Sequence, residues 1–225
     1  MISQITVDLF RAPLDLDADL LEAFAATLSE EELQRAGDGR VPTVQARIIA
    51  DHGWRRRLLA EMIGSTPERL TFTRDGYDKP RLSGGRPHFS ASRSDDVAYY
   101  AVCEHAEVGV DIERISTGRP LERLAHRLLS ERERRIYDSL PAAERARALT
   151  ACWTCKEAAG KALGRGLVFP VTSLEAWPGE DLSIRAHGLE VRRVDADECH
   201  AAAVAVRVAE DEMPAIASIV GLSAP

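Results

Sequence analysis

Apolar and polar positions alternate along this chain with two periods, and the switches between them predict its elements. ISQITVDLF, at 2–10, alternates like a first strand. Leu20 to Leu33 carries a helical pattern, and Ser29 with Glu32 forms a capping-box signature inside it, where a new helix can start. Val44 to Ile63 is a strong helix closed by Gly64. RLTFTRDGYDKPRL reads as strand, turn and short strand around Asp75-Gly76. HFSASRS, a polar turn and VAYYAVCE follow as two strands, and EVGVDIERI as a third. An Arg/Glu-rich helical region runs from Leu121 to Leu163, broken near Pro141. LSIRAHGLEVRRV and HAAAVAVRV then alternate again. Helix followed by antiparallel strands thus occurs twice. The expected fold class is α+β in two similar α/β halves, 1–105 and 106–225, joined near Glu104 to Glu107.

One strand breaks its own pattern. In VGVDIERI, Val110 and Ile112 face one side and Gly109, Asp111 and Glu113 the other. Two carboxylates held side by side repel. Mg²⁺ would relieve this, because it takes one or two carboxylates and leaves its other positions to water and phosphate. A strand edge wetted by two solvated acids has the same spacing.

Composition narrows the class. The chain has 225 residues, 45% hydrophobic, enough for one large core or two small ones. It has no apolar run of membrane-spanning length, and MISQITVDLF lacks a signal peptide's pattern. Four cysteines in a chain this long suit a reducing, cytoplasmic setting. Cys152-x-x-Cys155 has no second pair nearby and reads as small core residues in mid-helix. A net charge of −7 argues against general nucleic-acid binding, though not against an anionic small molecule. Arg55 to Arg57, and Arg132, Arg134 and Arg135, read first as solvated helix faces.

Two further stretches carry chemistry. On a helix, WTCKEAAGKALGRGL places Trp153, Lys156, Glu157, Gly160, Lys161 and Gly164 on one face. Cys155, Ala158, Ala159, Ala162 and Leu163 form the opposite stripe, suited to close packing on a sheet. Glu157 and Lys161 also form an ordinary i,i+4 pair. In KPRLSGGRPHFSASRSDD, Ser90, Ser92 and Ser94 alternate beside Arg93 and Lys79, a combination suited to phosphate. These serines lack a G-x-S-x-G elbow, which disfavours a serine hydrolase.

In order, KP, FSASRS, VGVDIE, WTCKEAAGK and GRGL resemble the Sfp-like 4′-phosphopantetheinyl transferases, from about Leu28 to Val206. The resemblance implies two similar halves with coenzyme A between them. It also implies transfer of phosphopantetheine from coenzyme A to a serine of an acyl or peptidyl carrier protein, with Mg²⁺, releasing 3′,5′-ADP. Asp111, Glu113 and Glu157 match the metal ligands, and Glu157 also matches a base for the serine. Lys161 and Lys156 match the helix lysines, with Lys161 at the pyrophosphate. Lys79 and Ser92 match contacts to the 3′-phosphate, Arg47 a basic residue on the second helix, and Glu133 a supporting glutamate. Arg93 stands where the family has histidine, and its guanidinium keeps a permanent charge there. Catalysis is thus expected from Glu157, Lys161 and Asp111 in a cytoplasmic monomer without nucleic-acid or membrane partners. A non-catalytic binding module and a Mg²⁺-dependent pyrophosphate hydrolase remain open at this point.

Overall fold

The computed structural model describes residues 4–39, 41–116, 121–165, 171–177, 183–186, 188–208 and 213–221. The chain mixes helix and sheet, as the α+β reading expects. It begins with β1 (Gln4–Pro13), α1 (Ala18–Ala25), α2 (Glu30–Gly37) and α3 (Pro42–Ile63). A hairpin of β2 (Phe72–Arg74) and β3 (Pro80–Leu82) follows, then β4 (His88–Ser94), β5 (Val97–Cys103) and β6 (Val108–Arg114). Next come α4 (Leu121–Leu128), α5 (Glu131–Ser139) and α6 (Ala142–Ala162). The chain returns as β7 (Ser183–Ala186), β8 (Leu189–Val194), β9 (His200–Arg207) and β10 (Met213–Gly221).

Two four-stranded sheets have the orders β10-β1-β5-β4 and β6-β9-β8-β7. They meet through one face each: Val7, Leu9, Tyr99 and Ala101 pack against Val108, Val110, Ile112 and Val204. The far face of the first sheet, with Ala98, Tyr100 and Val102, receives Ala50, Trp54 and Leu58 of α3. The far face of the second, with Val191, Ala203 and Ala205, receives Cys152, Cys155, Ala158 and Ala162 of α6. Helix, sheet, sheet and helix therefore stack in that order. VAYYAVC is apolar throughout because both of its faces are covered.

The small-residue stripe of α6 lies on the sheet as its spacing predicts. Gly109 sets the distance: a Cβ there would stand 2.0 Å from the Ala158 carbonyl oxygen and 2.6 Å from the Ala162 nitrogen. Asp111 and Glu113 accordingly face a helix across their strand, not open water. Cys152 and Cys155 are free, buried thiols in this core, and burial pushes Cys155 up to about 12.

Several expectations change. The 121–163 helical region breaks at Ser130 as well as near Pro141, because Ser130 and Glu133 close a capping box and start α5. Arg55 and Arg56 are buried, not solvated, because both meet the Glu32 carboxylate. HFSASRS, by contrast, is strand through Ser94 as expected, with the turn at Asp95-Asp96. β10 pairs in parallel with β1, so a strand from the stretch 106–225 completes the sheet built by 1–105. Among the described residues no helix is long and apolar enough to cross a membrane.

Candidate active site

β4 and β6 are not ladder neighbours, yet they meet along a line of serines. Residues two apart share a strand face, so Ser90, Ser92 and Ser94 all point at β6. Ser90 Oγ accepts from the Val110 amide at 3.1 Å, and Ser94 Oγ from the Arg114 amide at 3.0 Å. Between them Ser92 Oγ donates to Asp111 Oδ1 at 2.8 Å.

Asp111 is the centre of the site. Its Oδ1 also accepts from Lys161 Nζ at 2.7 Å, and that ammonium donates to the Val110 carbonyl at 3.0 Å. Asp111 is buried, and its Oδ2 has no hydrogen-bond partner. Glu157, one helical turn before Lys161, is half-buried. Burial holds its carboxyl above the usual range; the charges of Asp111 and Glu113 push the same way, and Lys161 opposes them. The three acids therefore feel one another across β6 and α6. A shallow cleft of about 10 Å³ lies beside Glu113, walled by Leu121, Leu124, Thr150 and Trp153. The Trp153 indole nitrogen is buried there without a partner.

Chemically, this donor set fits a hard divalent cation. A buried carboxylate oxygen lacks a donor, and a neighbouring carboxyl is held above the usual range by burial and by the charges of Asp111 and Glu113. Among the described residues no three acids, histidines or cysteines are already gathered as ligands. A cation that takes one or two carboxylates and fills its shell with water and phosphate does not require three.

The other expected contacts are distributed differently. Lys156 is fully buried, its Nζ bonded to Glu133 Oε2 at 2.6 Å and the Leu128 carbonyl at 2.9 Å. The resemblance places this lysine at coenzyme A; here the ammonium faces α5, and withdrawing it would strand Glu133 in the core. Glu133 holds this ion pair and also accepts from the Ala176 amide at 2.7 Å. Lys79 is likewise engaged within the protein. Its three donors are taken by Glu107 at 3.0 Å and by the Val108 and Lys161 carbonyls, both at 2.9 Å. It ties the β2–β3 hairpin to β6 and the end of α6.

Ser92 and Arg93, adjacent on β4, point to opposite faces of the strand. Ser92 meets Asp111, while Arg93 reaches Asp51 of α3 at 3.2 Å with a half-exposed side chain. Asp51 is held by the buried Tyr100 hydroxyl at 2.9 Å. Arg47, one turn earlier on α3, makes a forked pair with exposed Asp15 at 2.7 and 2.9 Å. The structure thus gathers Asp111, Glu113, Glu157, Lys161 and Ser92, and sets Arg47 and Arg93 apart on the α3 side. Sequence reasoning missed Asp51 and Glu107, which carry no motif and are found only through their partners. Gly164 caps α6 at φ 65°, and the rest of GRGL, Gly166-Leu167, lies outside the described residues.

Comparison with known proteins gives the family of the chain. Residues 107–207, which contain all three acids and Lys161, match the model of the 4′-phosphopantetheinyl transferase superfamily. The chain is 34% identical to 4′-phosphopantetheinyl transferase HetI of Nostoc sp. over 72% of its own length and 70% of that protein's. It is 27% identical to 4′-phosphopantetheinyl transferase gsp of Aneurinibacillus migulanus, over 72% and 67%. With psf-1 of Bacillus pumilus it shares 32%, over 56% and 53%. The chain belongs to the 4′-phosphopantetheinyl transferases and is an enzyme of that class.

Proposed function

We propose that this enzyme transfers 4′-phosphopantetheine from coenzyme A to a serine of acyl or peptidyl carrier proteins, with Mg²⁺, releasing 3′,5′-ADP. The observation that carries this reading is the half-satisfied carboxylate of Asp111. Its Oδ1 is saturated by Lys161 and Ser92, and its Oδ2 is buried and bare beside the raised carboxyl of Glu157.

Asp111 and Glu157, with Glu113 beside them, would hold the cation, which when bound offsets charge on the pyrophosphate. Lys161 adds a fixed positive charge at the same place. Glu157 is also the residue proposed to take the proton of the attacking serine hydroxyl, as the family resemblance implies. The serine oxygen then bonds to the β-phosphorus, and the bond to the 3′,5′-ADP oxygen breaks. Arg93 is the side chain proposed for the 3′-phosphate, since Asp51 engages one nitrogen of its fork. Arg47 supports the same end; its pair with Asp15 is exposed and cheap to exchange.

Incubation with coenzyme A, Mg²⁺ and an apo carrier domain tests the reading by mass. The carrier should gain phosphopantetheine, and Asp111→Ala or Glu157→Ala should lose roughly 10²–10³ in turnover while folding normally. Near-native turnover of both variants at saturating Mg²⁺ would sink the assignment, as would hydrolysis of coenzyme A without transfer. Arg93→Ala should weaken coenzyme A by about ten- to a hundred-fold and leave dephospho-coenzyme A nearly unchanged. Equal weakening of both donors would remove Arg93 from the 3′-phosphate.

A further inference from the structure

We infer that Ser92 is a positioning residue for Asp111, so that the N-terminal sheet sets the one carboxylate oxygen left to a cation. The inference rests on the proposed role of Asp111. It differs from the 3′-phosphate contact that the family resemblance implies for this serine.

Proton counting decides between the two roles. An ionised carboxylate only accepts, so the 2.8 Å contact between Ser92 Oγ and Asp111 Oδ1 uses the hydroxyl's single proton. A phosphate dianion also only accepts, and Ser92 has nothing left to give it. Direction agrees with this. Ser92 faces β6, whereas Arg93, the nearest cation on the strand, faces α3 and Asp51.

The contact is held from both sides. Ser90 and Ser94 each accept a β6 amide, at Val110 and at Arg114, which fixes β4 against β6 on either side of Asp111. Lys161 supplies the second donor to the same Oδ1. The two oxygens of one carboxylate are therefore made unequal. Oδ1 carries two donors, and Oδ2, buried and without one, is the atom left to bind. Hydrogen bonds of this kind orient ligating carboxylates, and their loss typically costs ten- to a hundred-fold in metal affinity.

The test uses Mn²⁺ as the probe, its free concentration followed by electron paramagnetic resonance, with full-length protein and saturating dephospho-coenzyme A. That donor lacks the 3′-phosphate, so any contact to it drops out. Ser92→Ala should weaken Mn²⁺ by about ten- to a hundred-fold, and Ser92→Thr, which keeps the hydroxyl, should recover most of the loss. Ser90→Ala, which removes a seam contact away from Asp111, should bind Mn²⁺ as the native protein does. In parallel, Ser92→Ala should keep the native preference for coenzyme A over dephospho-coenzyme A. Native Mn²⁺ affinity in Ser92→Ala overturns the inference, and so does an equal loss in Ser90→Ala, which would mark a general effect of the seam. Loss of donor preference in Ser92→Ala returns the residue to the 3′-phosphate. Asp111→Ala separates the two levels. If it binds Mn²⁺ normally, the cation role of Asp111 fails and takes this inference with it. If it alone loses Mn²⁺, only the role of Ser92 fails.

Discussion

The starts of α2 and α5 are built alike and put to different uses. Ser29-Glu30-Glu31-Glu32 and Ser130-Glu131-Arg132-Glu133 each close a capping box. The glutamate accepts from the serine amide at 3.0 Å in the first and 2.8 Å in the second. In each, the same carboxylate then takes charge from the neighbouring long helix. Glu32 binds Arg55 and Arg56 of α3, both at 2.8 Å, and Glu133 binds Lys156 of α6 at 2.6 Å. The difference lies in what else each cation has. Arg56 also donates to the Pro67 and Leu70 carbonyls, and Arg55 lies over the Phe72 ring at 5.1 Å. Lys156 has only the Leu128 carbonyl besides its glutamate. It also immediately precedes Glu157, so its anchor fixes the roll of the helix that presents the Glu157 carboxyl. A capping box marks where a helix starts; only packing decides whether its glutamate serves the terminus alone or the core as well.

That contrast can be broken at its strongest point. Glu133→Ala leaves a buried ammonium and the Ala176 amide without their acceptor, and should cost roughly 3–5 kcal/mol. Glu32→Ala should cost about 2–3 kcal/mol, because Arg56 keeps two carbonyl acceptors. Urea denaturation of both variants measures the order. Equal losses, or the reverse order, would mean that the two anchors are interchangeable.

A double replacement sharpens it. Glu133→Met with Lys156→Met removes both buried charges and should recover about half of the Glu133→Ala loss. The KM for coenzyme A should stay near native, since neither group touches the donor. A rise of about tenfold, worth about 1.4 kcal/mol, would put Lys156 back in contact with the donor.

The smallest effect concerns acid. Burial alone would raise the Glu32 carboxyl, but the Arg56 hydrogen bond, the Ser29 amide and the Arg55 charge bring it from 4.5 down to about 2. Burial, with Arg55 adding to it, lowers His52 from 6.5 to about 4. The signs agree. Unfolded His52 takes a proton near pH 6.5 and folded His52 only near 4, so stability falls as pH drops through that window. Glu32 adds a second fall between about 4.5 and 2. Each is worth on the order of 2 kcal/mol. Melting temperature against pH should decline from pH 6.5 in the native protein and stay flatter down to about 4.5 in His52→Gln. Identical profiles would remove His52 from the acid response.

Much of this was legible from periodicity. The closure of α3 at Gly64, the acids of VGVDIERI and the small stripe of α6 all follow from patterns that backbone geometry enforces. Side-chain destinations were less legible, for a physical reason. A helical wheel places Lys156 and Glu157 within 100° of each other, yet α6 is packed both by the sheet and by α4 and α5. That small angle sends one side chain into the core and leaves the other half-exposed at the site. Lys79 and Ser92 lie in motifs that suit phosphate, but their hydrogens go to Glu107, two carbonyls and Asp111. Pairwise commitments of this kind appear only once partners distant in sequence are brought together.

The parallel pairing of β10 with β1 also governs the order in which the chain can finish itself. Gln4 lies opposite Met213, so one edge of β1 waits until β10 has emerged from the ribosome. Until then that edge offers open amides and carbonyls to any other strand. Synthesis and refolding thus share a late, long-range closing step, which is slow and open to self-association. A chain stopped after Val208 should scatter light on dilution from urea under conditions where the full chain refolds clear. A monomeric, non-aggregating fragment would show that the edge is protected some other way.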